Sequence, residues 1–430
     1  MLTSTSNVKP DFRFIHMADT HLGLNWPAIG RRDKIQIPVY GKAFSAIVDA
    51  AIRQQVDFVV HAGDLVDRPR PSTAAWSRLL QELPRLKEAG IPFIITVGSH
   101  DKPDSYFDRA GGDILQLLES RLGLVKRVDT DQNPFFNIET KSGKEVTIYG
   151  LGDHGREQEE HLQTLCNKMN AENDFSILMM HGSVSAISPV IGPTVRAEVI
   201  SQLLSKRYVD YVALGHNHKR WEHRDLHVYN PGSPEYTSFA DAPTISYLID
   251  GTILKEESRE SVEHGYYLVE VTGEIIEAQF NTLESRDVKN IRVGFAGATP
   301  SQVIEGARTA ITQNISDSSI IRPILSGTLH PSTSRSEIDV REILSLREKV
   351  LFLDYPLIDL DDSQVKLEAA QVSDIHQLLR LYFESKLGHN AKEIANIAGK
   401  LVELYAVKGK KTVEEAMTII DGWRPDDKKA

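Results

Sequence analysis

Five short apolar runs in this chain each stop abruptly at a cluster of carboxylates, imidazoles or glycine. Residues 12–18 read FRFIHMA and end at Asp19-Thr20-His21. Val56 to Val60 leads to Gly63-Asp64, and Ile91 to Val97 leads to Gly98-Ser99-His100-Asp101. Phe175 to Met180 runs straight into His181-Gly182, and Tyr211 to Leu214 into Gly215-His216-Asn217-His218. Short apolar runs bounded by turn residues read as strands buried on both faces. Between the first three lie segments of helical period. Phe44, Ile47, Val48 and Ala51 mark one over 43–53, and 72–89 forms another, capped by Ser72 or Thr73 and interrupted by Pro84. Strand, helix, strand, helix, strand predicts an α/β layered domain. In such a domain, polar residues at the carboxyl ends of strands converge on a crevice. Residues 146–150, 227–229, 245–249 and 264–271 add further strands.

Composition narrows the function classes. At 430 residues the chain is long for one core, so one large unit with smaller ones is expected. A hydrophobic content of 41% with 25% charged residues excludes wholesale disorder. Cys166 is the single cysteine, which excludes an intramolecular disulfide and any cysteine-cluster metal site. A net charge of -11 argues against a non-specific nucleic-acid coat protein, although an enzyme that meets phosphates through metals need not be basic. The start shows no basic and apolar leader, and no apolar run approaches the roughly 18 residues of a membrane span. A soluble cytoplasmic protein is expected.

The residue types at the strand ends are metal ligands. Mixed carboxylates and imidazoles suit Mn²⁺, Fe²⁺ or Zn²⁺ better than Ca²⁺. In an extended segment residues two apart point the same way, so Asp19-x-His21 and His216-x-His218 are each expected to aim two ligands at one site. Taken singly, each residue has a plain reading. A lone Asp after a strand is usually a turn or cap residue. His16, His61 and His154 read equally well as local structural residues, and His223 and His227 as structural or surface ones. Arg31, Arg32 and Lys34 read as phosphate contacts or as a solvated loop. Five such motifs occurring in order by accident is the weaker explanation.

These motifs together resemble the calcineurin-like metallophosphoesterases, and within them the Mre11/SbcD family of DNA double-strand-break repair nucleases. The stretch Tyr229-Asn230-Pro231-Gly232-Ser233-Pro234-Glu235, then Thr237-Ser238-Phe239, is similar to the nuclease branch, as is Gly265-Tyr266-Tyr267-Leu268-Val269. The resemblance covers about residues 12 to 285. It implies a four-layer sandwich of two mixed sheets flanked by helices, with a small α+β capping domain and C-terminal helices. It implies two divalent metal ions, manganese first, with magnesium, iron or zinc as alternatives. One ion would be held by Asp19, His21, Asp64 and His218, the other by Asp64, His181, His216 and the residue at position 99, with Asp64 bridging. His100 would be the catalytic histidine that is not a ligand, and Asp101 an accompanying carboxylate that orients or fixes the loop. The expected partners are DNA ends, an SMC-like ATPase of the Rad50/SbcC kind, and a second copy of the chain.

One departure stands out. The family pattern reads Gly-Asn-His-Asp, whereas this chain has Gly98-Ser99-His100-Asp101. A serine hydroxyl on a shorter side chain is a weaker neutral ligand than an asparagine carbonyl. Three function classes follow: a DNA nuclease, a phosphoesterase acting on nucleotides or small phosphodiesters, and a catalytically weakened scaffold at DNA ends. The expected organisation is a nuclease domain over 12–285, a capping domain over 286–360, a helical partner-binding region over 364–421 and a flexible tail over 422–430. In the helical region Ile375, Leu378, Leu379, Tyr382 and Phe383, then Ile394, Ile397, Leu401, Leu404 and Tyr405, carry amphipathic spacing. Such stripes are covered by packing on each other or on the small domain, or, as the family resemblance implies, by docking on an ATPase coiled coil.

Overall fold

The computed structural model describes residues 10–24, 41–102, 113–129, 133–189, 192–250, 253–330 and 333–361. Arg31, Arg32 and Lys34, the expected helices of 364–421 and the tail of 422–430 lie outside these residues.

The apolar runs do form strands, and two six-stranded mixed sheets result. In the first, Phe12–Met17, Phe58–His61 and Phe93–Ile95 lie parallel. Gly265–Thr272 joins Phe12–Met17 antiparallel, and Ile275–Thr282 forms the edge beyond it. The second sheet is centred on Glu145–Leu151, Phe175–His181 and Tyr211–Gly215, again parallel. Runs that are apolar at every position make sense because both faces are covered. Along Phe12–Met17, Phe14 enters the layer between the sheets while its neighbour Ile15 packs under helices. Phe14 stacks on Phe58 at 5.1 Å between ring centroids, and Tyr211 of the other sheet meets Phe14 edge-on at 5.3 Å. Burying each such ring contributes about 1.5–3 kcal/mol.

Helices close the outer faces. Lys42–Gln54 and Thr73–Glu88 cover the first sheet with Phe44, Ile47, Leu79 and Leu83. Gln158–Cys166 and Ala197–Ser205 cover the second with Leu162, Ile200 and Leu203. Helix, sheet, sheet, helix is the four-layer sandwich expected. Pro84 does not interrupt its helix, which runs from Thr73 to Glu88. The proline removes only one intrahelical bond, to the Leu80 carbonyl, and Leu80 stands 47% exposed on the solvent side, where water can serve that carbonyl. Ser72 caps the helix by accepting from Ala75 N at 3.3 Å.

A third sheet follows. Val288–Ala298 and Ile320–Leu329 are its parallel centre, with Pro300–Thr312 packed on it through Val303, Ala307 and Ile311. This small unit draws in a hairpin from earlier in the chain. Thr244–Asp250 pairs with Val288–Ala298, and Ile253–Arg259 pairs with Thr244–Asp250. The hairpin lies within 12–285 in sequence but hydrogen-bonds into the third sheet. The solvent-facing strands Phe135–Glu139, Ile253–Arg259 and Ile275–Thr282 carry too many polar residues to show as apolar runs.

Candidate metal centre

Because the ligand-bearing strands of each sheet run parallel, their carboxyl ends bring the strand-end residues into one place. Three groups of three side chains form there, and two of them hold only strand-end residues. Asp19, His21 and His218 make one, and Asp64, His181 and His216 the other, with ligand atoms within 4.8 Å of one another in each group. Asp64 Oδ2 lies 3.3 Å from His181 Nε2 in its own group and 3.6 Å from His21 Nε2 in the other, so one carboxylate oxygen stands between both. His21 Nε2 and His218 Nε2 are 3.1 Å apart, as are His181 Nε2 and His216 Nδ1.

Extended alternation is not what aims these side chains. Asp19 and His21 both have left-handed backbone, at φ 50° and 44°, and so do Asp64 at 58° and His216 at 81°. The chain turns sharply at each strand end instead. As a result His216 and His218 fall into different groups, contrary to what extended alternation alone implies; the family resemblance already places them with different ions. Left-handed backbone at a residue with a Cβ persists where surrounding bonds determine it. Those bonds are present: Asp19 N donates to Gly63 O at 3.0 Å, His21 N to Asp64 O at 3.0 Å, and His216 N to both Asp19 oxygens at 2.9 Å. Two glycines make room. A Cβ on Gly98 would lie 2.1 Å from Asp64 Oδ1, and one on Gly192 would lie 2.1 Å from His216 Nε2.

Asp101 is in none of the ligand groups. Its oxygens accept from Asp64 N at 2.9 Å, Gly98 N at 3.0 Å and Val66 N at 3.2 Å. Asp101 thus ties together the two loops that carry Asp64 and Ser99. Ser99 is exposed, and its hydroxyl makes a long 3.4 Å bond to Asp64 Oδ2. His100 belongs to the third group, with His21 and Asp67. Its ring is half-exposed and edge-on to His21 at 4.7 Å, and Nδ1 bonds to the Asp67 carbonyl at 2.7 Å. That leaves Nε2 for proton exchange. His16 and His61 are buried supports: His16 bonds to Tyr211 and to the Leu214 carbonyl, and His61 to Thr20 Oγ1. His154 stacks on His161 and belongs to none of the ligand groups.

Electrostatics show what the centre lacks. Asp19, Asp64 and Asp101 are all buried, and none forms an ion pair with lysine or arginine among the described residues. Burial pushes the Asp19 carboxyl up to about 6, against the pull of His181 and His218. Burial and the Asp64 charge push Asp101 up to about 7, against its N–H donors. Burial would raise Asp64 too, but the adjacent His181 and His21 prevail and hold it well below the usual carboxylate range. Burial alone would lower His181; the Asp64 carboxylate overrides it and pushes the imidazole up to about 10. His21 is lowered to about 3, chiefly by burial, and His216 to about 4 by burial and then by His181. Buried carboxylates facing unprotonated imidazole nitrogens fit divalent cations, which supply the missing positive charge without protons. The nitrogen and oxygen donor set suits Mn²⁺, Fe²⁺ or Zn²⁺.

The sequence reading gives four residues at the centre no role, although Thr237 lies in a stretch that carries the resemblance. Asp67 Oδ1 lies 3.7 Å from His21 Nδ1, and Thr237 and Asp241 both meet His218 Nδ1. Gly192 is the fourth. Asp67 follows Asp64 closely enough that a search for a second carboxylate on that loop would find it; the others carry no local signal.

The calcineurin-like phosphoesterase family model matches residues 12–220, which contain every candidate ligand. The chain is 32% identical over 266 residues to the DNA double-strand break repair protein Mre11 of Sulfurisphaera tokodaii, covering 61% of this chain and 60% of that protein. It is 26% identical over 343 residues to Mre11 of Saccharolobus solfataricus, covering 79% and 81%. It is also 28% identical over 279 residues to the uncharacterized metallophosphoesterase YhaO of Bacillus subtilis, covering 63% and 60%.

Proposed function

The chain belongs to the calcineurin-like phosphoesterase family, and on that premise we propose that it is a dinuclear metal-dependent nuclease that hydrolyses phosphodiesters of DNA. The observation that carries this is the place of Asp64 Oδ2 between two ligand groups, in a chain similar over most of its length to proteins named for break repair. Two cations, Mn²⁺ foremost, held by Asp19, His21, Asp64 and His218 and by Asp64, His181, His216 and Ser99, would polarise the phosphodiester and neutralise developing charge. Asp64 keeps the two groups in register. Asp101 holds the Asp64 and Ser99 loops rather than touching substrate. His100, with Nδ1 bonded to the Asp67 carbonyl, exchanges a proton with the leaving oxygen through Nε2.

The family resemblance supports the finer reading: cleavage from ends, 3′ to 5′, with endonuclease action at hairpins and single strands, in double-strand-break repair or end processing. It likewise supports a homodimer, an SMC-like ATPase partner engaged through 364–421 and a cytoplasmic, nucleoid-associated location. Among the described residues no helix is long and apolar enough to cross a membrane. Side-by-side Mn²⁺ assays on linear DNA, a cyclic dinucleotide and bis-p-nitrophenyl phosphate test the substrate class. Fast turnover of the cyclic dinucleotide with no cleavage of DNA would reject the nuclease.

Ser99 favours a second reading, a weakened enzyme that serves as a scaffold at DNA ends. Its exposed hydroxyl offers the second ion a poorer ligand than an amide. Mn²⁺ titration of wild type and Ser99→Asn, alongside DNA cleavage, separates the two. Higher occupancy and rate in the variant support weakening; full occupancy and activity in the wild type remove it.

A further inference from the structure

We propose that Thr237 and Asp241 lock His218 in its Nδ1–H tautomer, and that Asn290 of the third sheet fixes the loop that carries them. The small unit would then set one ligand of the metal centre. The proposal rests on the metal-centre reading above.

The bonding order follows from donor chemistry. His218 Nδ1 lies 2.7 Å from Thr237 Oγ1 and 3.3 Å from Asp241 Oδ2. Thr237 Oγ1 also makes a short hydrogen bond to Asp241 Oδ2. An ionised carboxylate only accepts, so the Thr237 hydroxyl donates to Asp241 and turns its lone pairs toward the imidazole. Nδ1 must therefore carry a hydrogen whichever partner it meets. Nε2 is then the nitrogen turned to the metal centre, where it faces His21 Nε2 at 3.1 Å in the group with Asp19. The Ser238 N–H also donates to Asp241 Oδ2, at 3.2 Å, which suits an acceptor carboxylate. A carboxylate that fixes the tautomer of a ligating histidine is a recurrent way of tuning a metal site.

The loop that presents these residues has no regular secondary structure. Its anchors belong to the third sheet. Asn290, itself 6% exposed, donates from Nδ2 to the carbonyls of Phe239 at 2.9 Å and Ala242 at 3.2 Å, on either side of Asp241. Its backbone N–H donates to the Pro243 carbonyl at 2.8 Å. The Arg322 guanidinium lies 4.2 Å over the Phe239 ring and is held by Asp354 at 2.8 Å. Phe239, Tyr236 and Ala242 share a buried cluster with Val288, Ile320 and Phe352. The residues flanking Asp241 thus pack on strands Val288–Ala298 and Ile320–Leu329. Asp241, Thr237 and Asn290 are positioning residues: they act on the cation only through His218.

The test uses the full chain with histidine labelled in ¹⁵N, after chelator treatment, and reads the His218 tautomer by imidazole NMR, with Mn²⁺ titration beside it. Burial lowers the His218 pKa, but Asp241, Asp19 and Asp64 prevail and raise it, so the spectra are read at a pH where the ring is neutral; there the wild type should show the Nδ1–H form. Asp241→Ala should mix the tautomers and weaken one of two Mn²⁺ sites by roughly 10–100-fold, leaving the other. Asp241→Asn, which keeps an acceptor oxygen, should restore most of both. Asn290→Ala should move the same site and the same resonance in the same direction. Should Asp241→Ala fail to fold, the Asp241→Asn and Asn290→Ala pair decides. An unchanged His218 tautomer and unchanged Mn²⁺ affinity in Asp241→Ala overturns the lock, and the same result in Asn290→Ala overturns the link to the small unit. A wild type that binds no Mn²⁺ rejects the metal-centre reading, while the metal-free tautomer still decides the lock.

Discussion

His181 Nε2 and His216 Nδ1 face each other at 3.1 Å, and Asp64 Oδ2 stands 3.3 Å from the first of them. Two imidazole nitrogens with their lone pairs opposed at that separation repel unless a proton or a cation lies between them. In the cation-free chain the proton goes to His181, which the Asp64 charge holds protonated. A divalent cation displaces it, so binding should release protons as well as join the two sheets.

Asp64→Ala follows from that geometry. With the shared carboxylate gone, both cations should be lost and hydrolysis abolished. Elemental analysis after dialysis reads the first and a DNA cleavage assay the second. Mn²⁺ at 100 times its dissociation constant should stabilise the wild type by about 2.7 kcal/mol and leave the variant unmoved in a thermal melt. Retention of both ions by Asp64→Ala would show that Asp64 is not shared.

His100 falls in a third possible ligand group, with His21 and Asp67, but its Nδ1 is already bonded to the Asp67 carbonyl. His100→Ala should keep its Mn²⁺ content and lose roughly 10²–10⁴ in rate, the size of an acid–base contribution. Metal loss in that variant would instead place His100 among the ligands.

Gly192 carries no chemistry, yet it packs on His216. A methyl group there would meet Nε2, and at φ 64° the backbone also disfavours any side chain. Gly192→Ala should weaken Mn²⁺ at the site shared by Asp64, His181 and His216 while the site at Asp19, His21 and His218 keeps its affinity. Equal weakening of both, or of neither, in a calorimetric titration contradicts the packing.

Glu82 offers a stability test far from the centre. It is 2% exposed and accepts from Ser45 at 2.6 Å, Arg85 at 2.6 Å and Arg78 at 3.2 Å. Burial raises its carboxyl, but the bonds from Ser45, Arg85 and Arg78 prevail and hold it below the usual glutamate range. A depressed folded-state pKa means stability that is present above the unfolded value and lost as pH falls through the folded one. Glu82→Gln should therefore lower stability by about 1–3 kcal/mol at neutral pH. The gap between variant and wild type should close in acid, as denaturant melts at the two pH values will show.

The amino-acid sequence by itself determined where the strands stop and which side chains stand there. A β-branched run ends where glycine and polar residues follow it, and that is a local event. Asp19, Asp64, His181 and His216 were legible for this reason, as was the small α+β unit after residue 285. How those side chains divide is not in the local pattern: the family resemblance implies a division, and tertiary structure is what makes it. The left-handed turn at His216 is held by Asp19, 197 residues away, so no local pattern could announce that His216 and His218 part company. The same holds for hairpin 244–259, whose partner strand begins at Val288. It holds equally for Asp241, an ordinary loop carboxylate until the third sheet presses it against His218. Periodicity records what a residue shares with its chain neighbours. Register between distant strands, and the hydrogen bonds that fix it, is settled only when the sheets close.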